Sequence, residues 1–504
     1  MQISVFSAAG LHPPGRRSFL TKAACALALV VLADVLFFGQ GVGWTAGLFS
    51  LAWVLAVVIA RPGVLAGRPS VAALAAAGLL ALTLIDDPGT LAFLLVWAAL
   101  ALAVLLPRAG AFDDAWAWSC RLAVHPFSGL LRLAGDAVVW TRAWRRVPVG
   151  LRRLVPLLAL PVAGTGLFLA LFASANPVIR DRLASLDPGA LLRGITPVRV
   201  GFWALTGAVV WGVLRPGHLL RLAAAPPAEQ RPPSAIPGVS IASVTLSLIA
   251  FNALFALQNT LDVAYLWSGA PLPGNLTLAT YAHRGAYPLI ATALLAAVFV
   301  LAALRPGSPL AANRLLRRLV YLWIGQNVVL VGFSIERTLN YVDAFSLTAL
   351  RLAALIWMGL VAVGLVLICW RIWRRRSTAW LINANAVAVL AVLVGCIVVD
   401  LGNVVASYNV RHNREVAGTG AALDLCYLHR LGSSALLPLI ELERENLSPE
   451  TKAEVTALRA TIMRRLTLDQ ADWHRWTFRN ARRLDAAIAA VGEQGEVAGC
   501  DPCL

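Results

Sequence analysis

The chain has 504 residues, 59% of them hydrophobic and 14% charged, with a mean hydropathy of +0.73. Soluble domains are about 45–50% apolar and about 25% charged, so this composition excludes a soluble globular protein and predicts a membrane protein. The formal net charge is +17, yet the last 94 residues hold 12 basic and 13 acidic side chains. The excess therefore belongs to residues 1–410, where basic residues punctuate apolar runs. That pattern orients helices in a bilayer and gives no nucleic-acid partner, which would call for basic residues clustered in a soluble module.

A bilayer-crossing helix needs about 20 mainly apolar residues. In chain order such runs fall at 22–38, 44–60, 70–85, 90–106, 154–173, 200–214, 239–258, 286–303, 319–334, 349–370 and 384–406, which predicts an all-α polytopic bundle of about eleven spans. The first run follows Arg16, Arg17, Phe19, Leu20 and Lys22, a near match to a twin-arginine export signal. No small-residue cleavage site follows it, and the run passes through Asp34 into "LFFGQG", so an uncleaved anchor is expected. Residues 1–106 thus form a four-helix membrane segment.

Residues 107–153 form one long loop. Here Trp116, Trp118, Trp140 and Trp144 alternate with Arg121, Arg132, Arg142, Arg145 and Arg146, a mixture suited to an amphipathic helix in the headgroup region. It serves as a connector or, alternatively, as a docking site for a cytoplasmic partner. Residues 154–406 form a seven-span core, interrupted at 222–238 by "LAAAPPAEQRPPSAIPG", a linker too Pro-rich to be helical throughout.

Cytoplasmic loops carry the excess of Lys and Arg. With Lys22 and Arg351 counted in the loops they flank, the N-terminus and the alternate loops on its side hold 24 basic residues, against seven in the opposite loops. The N-terminus is therefore expected in the cytoplasm, and the polar tail, residues 407–504, outside it. The tail reads as a small helical domain in which Ser448, Pro449 and Glu450 make a helix start.

Three ordered blocks carry a family likeness: "NTLDVAYLWSGAPLPGNLTLATYAHRGAYPLI" at 259–290, "GQNVVLVGFSIERTLNYVDAFSLTALRLAALIWMGL" at 325–360, and "VVDLGNVVASYNVRH" leading into "LDLCYLHRLGSSALLPLIEL" at 423–442. Over about residues 150–442, and weakly in the first span with its "ADVLFFGQG", the chain resembles bacterial multi-pass membrane proteins catalogued as a domain of unknown function, the 4173-type domain. The resemblance implies a bacterial inner-membrane protein and brings no activity or catalytic residue with it.

The same blocks hold the chain's most unusual polar residues. Polar side chains at membrane depth are costly and usually face a partner in the bundle interior. Asn252, Asn259 and Asp262 share one helix face; Tyr281 and Arg284 precede the eighth span. Gln326, Asn327, Ser334, Glu336 and Arg337 follow in the ninth, then Asn340 and Tyr341, Arg351 in the tenth, and Asp400 and Asn403 at the end of the eleventh. Most of the charges fall at one level near the outer surface. They form either ion pairs that fix the bundle or an outward-open polar pocket for a small ligand or headgroup. In the second case Asn259, Asp262, Tyr281, Arg284, Glu336, Arg337, Arg351 and Asp400 would bind it. Asp34 is the one ionisable residue clearly inside a span, a poor endowment for a proton pump.

Cys426 and His429 in C-x-x-H and Cys500 and Cys503 in C-x-x-C offer ligands for zinc. About 70 residues separate the two pairs, more than a compact zinc module needs. Outside the cytoplasm a disulfide from Cys426 to Cys500 or Cys503 is preferred, and no metal or other cofactor is expected. H-E-x-x-H, G-x-S-x-G and P-loop patterns are absent. The sequence favours a non-catalytic envelope scaffold, sensor or partner subunit, with the lipid bilayer and envelope proteins as its partners. The alternative is a transporter or lipid- or small-molecule-binding membrane enzyme that uses the outer polar cluster.

Overall fold

The computed structural model describes residues 16–109, 114–144, 164–165, 195–216, 241–264 and 313–492. Every regular element among these residues is a helix. Eight of the helices are long and apolar enough to cross a membrane: α1 (Arg16–Phe37), α3 (Arg68–Asp86), α4 (Thr90–Ala109), α6 (Pro197–Leu214), α7 (Ile241–Asp262), α8 (Arg314–Phe345), α9 (Ala349–Arg374) and α10 (Thr378–Val398). The shorter α2 (Thr45–Ala60) is apolar as well. The protein is a multi-pass, all-α membrane protein. The expected span at 286–303, nearly all of that at 154–173, and Tyr281, Arg284, Cys500 and Cys503 lie outside the described residues.

The last predicted span is displaced. α10 starts at the Ser377 cap and stops at Val398 rather than running from 384 to 406. The Asp400 side chain accepts from Asn403 N at 3.0 Å and opens a new helix, α11 (Leu401–Arg411). An aspartate that caps backbone amides favours starting a helix over continuing one, and hydropathy alone does not register this. Residues Ala115–Trp144 of the Trp/Arg loop form a single helix, α5.

Contacts divide the chain into two units. The first comprises Met1–Leu79, Val96–Ala111 and Cys120–Ala224. In it α1 packs on α2 and α6, with Phe37 edge-on to Phe49 at 5.4 Å. Small residues let α5 and α6 approach closely: a Cβ on Gly129 would stand 2.8 Å from Gly212 Cα. Near one end of α6, Arg199 donates to Asp34 through Nε at 2.8 Å, and Trp203 donates to the same carboxylate at 2.8 Å. At the other end Arg215 pairs with Asp136 at 3.0 Å. Asp34 is thus half of an ion pair between helices.

The second unit comprises Leu80–Leu95, Phe112–Ser119 and Ala225–Leu504. Its membrane helices pack in the sequence α7, α8, α9, α10 around Leu248, Val320, Trp323, Ile324, Met358 and Leu365. Gln326 Nε2 donates to Asn252 Oδ1 (2.9 Å), Asn252 Nδ2 to Leu319 O (3.1 Å) and Asn259 Nδ2 to Gln326 O (3.2 Å), and Arg337 bonds Asp262. Partner numbers rise together, so α7 and α8 run parallel.

With 32 residues, α8 is about 48 Å long at about 1.5 Å per residue, well over the roughly 30 Å hydrocarbon core. Its C-terminal end meets the tail, where Val342 packs with Val405. There the tail helices α11, α12 (Arg414–Ala417), α13 (Leu425–Leu431), α14 (Leu436–Glu443), α15 (Pro449–Ala471) and α16 (Phe478–Val491) form a separate core of Val410, Leu428, Leu436, Leu439, Leu458 and Ile462. Side-chain caps set their starts: Asn413, Asp424, Ser448 and Thr477 each accept from the backbone N–H three residues on. Ser448 with Pro449 is the start expected from sequence.

Candidate functional site

Of the polar residues singled out in the sequence, those among the described residues make contacts as follows. Asp262, fully buried, pairs with the buried Arg337 and also accepts from Gln258 at 3.0 Å. Asn259 bonds the α8 backbone. Half-buried Glu336 makes no ion pair among the described residues. Arg351 donates to the carbonyls of Phe345 (2.6 Å) and Ser346, and lies 4.4 Å over the Tyr341 ring. It thereby ties down the turn from α8 to α9, where Ser346 adopts a positive φ of 65°.

Asp400 belongs to the tail. It accepts from Arg483 and, at 3.0 Å, from Ser434 Oγ. Next to it, Arg479 donates to Asp86 and Asp87, each at 2.9 Å, and to Val398 O at 3.1 Å, while Arg482 reaches Asp86 at 3.2 Å. The end of α3 and the end of α10 are therefore clamped to α16. Burial, then the like charges of Asp400 and Asp86, push the Asp87 carboxyl up against the pull of Arg479 and Arg483.

A polar cleft of about 430 Å³ opens where α8 meets the tail, lined by Asp343, Ser346, Tyr408, His412, Thr419 and Gly420 among others. Tyr408 donates to Asp343 Oδ1 at 3.0 Å and stacks on His412 with ring centroids 4.2 Å apart. Burial, with the Asp343 hydrogen bond second, raises the Tyr408 phenol above its ordinary value. Asn409 fixes the floor by bonding both Leu347 N (2.7 Å) and Leu347 O (2.8 Å). Gly420 closes the rim at φ +97°, where a Cβ would stand 2.6 Å from His412 O. A carboxylate, a phenol, an imidazole and a hydroxyl around one opening make a hydrogen-bonding surface for a small polar solute. Among the described residues no His, Cys, Asp or Glu group is arranged to hold a metal ion.

Sequence reasoning missed Asp343, Tyr408, His412 and Thr419. The available signals were the i, i+4 spacing of Tyr408 and His412 on one helix face and the paired glycines of "AGTG". Cys426 is disulfide-bonded, and Cys25, Cys120, Cys369 and Cys396 are free.

A family model described as a domain of unknown function, DUF4153, matches residues 73–442. This corrects the 4173-type assignment and extends the likeness back from about residue 150 to take in most of α3, all of α4 and the Trp/Arg helix. No curated protein and no solved structure matches the chain.

Proposed function

The chain belongs to the DUF4153 family, and from that premise we propose that it is a non-catalytic membrane scaffold or sensor of the bacterial inner membrane, with the N-terminus cytoplasmic and the helical tail outside. The observation that carries this reading is the clamp. Arg479 and Arg482 bind Asp86 and Asp87 at the end of α3, and Arg479 also bonds Val398 O at the end of α10, so the folded tail domain is coupled directly to two apolar helices.

Sidedness is supported by loop charge and by two further contacts. Ala115 N, after α4, donates to Asn383 Oδ1 near the start of α10 at 2.7 Å, while the ends of α3 and α10 meet the tail. Alternate helix ends therefore share a face. A disulfide at Cys426 suits an oxidising compartment.

The polar cleft favours the sensor version, in which a small solute outside biases the α8–tail contact. Thermal unfolding of the purified protein is to be followed with hexoses, amino acids and glycerol phosphates. One class is expected to raise the unfolding temperature of the wild type but not of Asp343→Asn or His412→Ala. If no solute shifts the wild type, the sensor version is wrong. Arg479→Ala tests the scaffold: limited proteolysis is expected to cut between α10 and α11 faster, and an unchanged rate removes the coupling.

A further inference from the structure

The surface of the tail beside the clamp is apolar in a way its own core does not explain. Leu468 near the end of α15, Trp473 in the following turn and Phe478 at the start of α16 are 68%, 51% and 49% exposed. Soluble domains scatter single exposed hydrophobics, but these three lie within eleven positions of one another, and the last of them adjoins a residue bonded to a membrane helix. Phe478 precedes Arg479, which bonds Val398 O at the end of α10. The Phe478 ring lies under the Arg482 guanidinium at 4.8 Å, and Arg482 reaches Asp86 at the end of α3.

Val398 and Val399 are also exposed, so apolar surface continues from α10 toward Phe478. A shallow cleft of about 330 Å³ lies at the same boundary, lined by Val398, Leu437, Arg479, Arg482 and Arg483 among others. Aromatic rings with arginines at the level where helices leave the hydrocarbon are the composition of an interfacial belt.

We propose that the α15–α16 corner of the tail is a lipid-contacting anchor: Leu468, Trp473 and Phe478 insert into the headgroup–acyl boundary of the leaflet that faces the tail, and Arg482 lies among the headgroups. The occupant is phospholipid, because the apolar surface is continuous with spans that lipid already surrounds. The inference rests on α3 and α10 crossing the membrane and is indifferent to which face is outside. It can therefore fail while the scaffold reading stands, and the reverse.

The test is a photo-crosslinking amino acid placed at Trp473, Phe478 or Lys452 of the full chain in phosphatidylcholine–phosphatidylglycerol nanodiscs with clickable acyl chains. Lys452 is exposed at the far end of α15. Lipid adducts at the two aromatic positions well above those at Lys452 are expected. No adduct at either aromatic position, or equal yield at all three, overturns the anchor. A milder change guards against misfolding. The fluorescence difference between wild type and Trp473→Phe isolates the Trp473 signal, and lipids brominated near the headgroup are expected to quench it more than lipids brominated deep in the chain. Absence of quenching by either overturns the anchor as well.

Discussion

At the scale of single residues, the decisive distinction is between charges that are paired and those that are merely placed at the right depth. Asp262 and Arg337 are both almost wholly buried and joined to each other. Removing one partner of such a pair leaves an uncompensated charge and costs about 3–5 kcal/mol. Asp262→Asn is therefore expected to lower unfolding stability in detergent by that order, while Glu336→Gln, next door in sequence and without an ion pair among the described residues, is expected to change it by less than about 0.5 kcal/mol. Equal losses in the two variants would show that depth and not pairing sets the cost. Gly420 makes a second residue-scale case. Its φ of +97° and the 2.6 Å approach of a Cβ to His412 O act together, so Gly420→Ala is expected to cost about 1–3 kcal/mol. Gly418→Ala has a positive φ but open space around it, and is expected to cost less. Reversal of that order in thermal melts would place the constraint elsewhere.

At the scale of helices, small residues and caps do what hydropathy does not reveal. Gly129 and Gly212 meet backbone to backbone, and helices in lipid associate through such close packing rather than through the hydrophobic effect. Gly129→Ala should separate α5 from α6 and lower the melting temperature, whereas Gly201→Ala, with nothing within 4 Å, should not; a silent Gly129→Ala would contradict the crossing. The clamp adds a pH dependence. The Asp87 carboxyl is raised in the folded chain, so the folded state holds that proton more tightly than the unfolded state does. The stability this confers is present below the unfolded value of about 3.9 and is lost as pH rises through the raised folded value. Asp87→Asn is expected to flatten that part of a melting-temperature profile taken from about pH 4 upward, and an unaltered profile would rule Asp87 out. The helices themselves were legible in sequence because long apolar runs have few alternatives in a bilayer. The break at Asp400 was not, since the apolar run carries on to Val405 and only the capping bond to Asn403 N divides it. The polar residues near the ends of these helices were legible as unusual, and the sequence offered them both as ion pairs and as a pocket. Sequence places Asp262, Arg351 and Asp400 at one depth, and only three-dimensional contacts reveal that each is taken up by a different neighbour. Asp343 and Tyr408 escaped notice because their encounter joins residues 65 positions apart.

At the scale of the whole molecule, sidedness links the bundle, the clamp and the sulfur chemistry. An odd number of crossings puts the tail opposite the N-terminus. If loop charge fixes the N-terminus in the cytoplasm, Cys426 lies where disulfides persist. An even number would put the same cysteine among reducing agents that keep thiols free, which is hard to reconcile with its bonded state. The four cysteines that are free among the described residues would blur a labelling experiment, so they are first replaced by Ala or Ser, leaving Cys426, Cys500 and Cys503. In intact cells an impermeant maleimide is then expected to label the tail more strongly after mild reduction than before, and Cys426→Ala should abolish that increment in part by freeing its former partner from the start. A reporter fused after Leu504 that is active only in the cytoplasm, together with labelling confined to broken cells, would instead require an even span count. It would also turn the loop-charge argument against the odd one, and the cleft and the clamp would then face the cytoplasm.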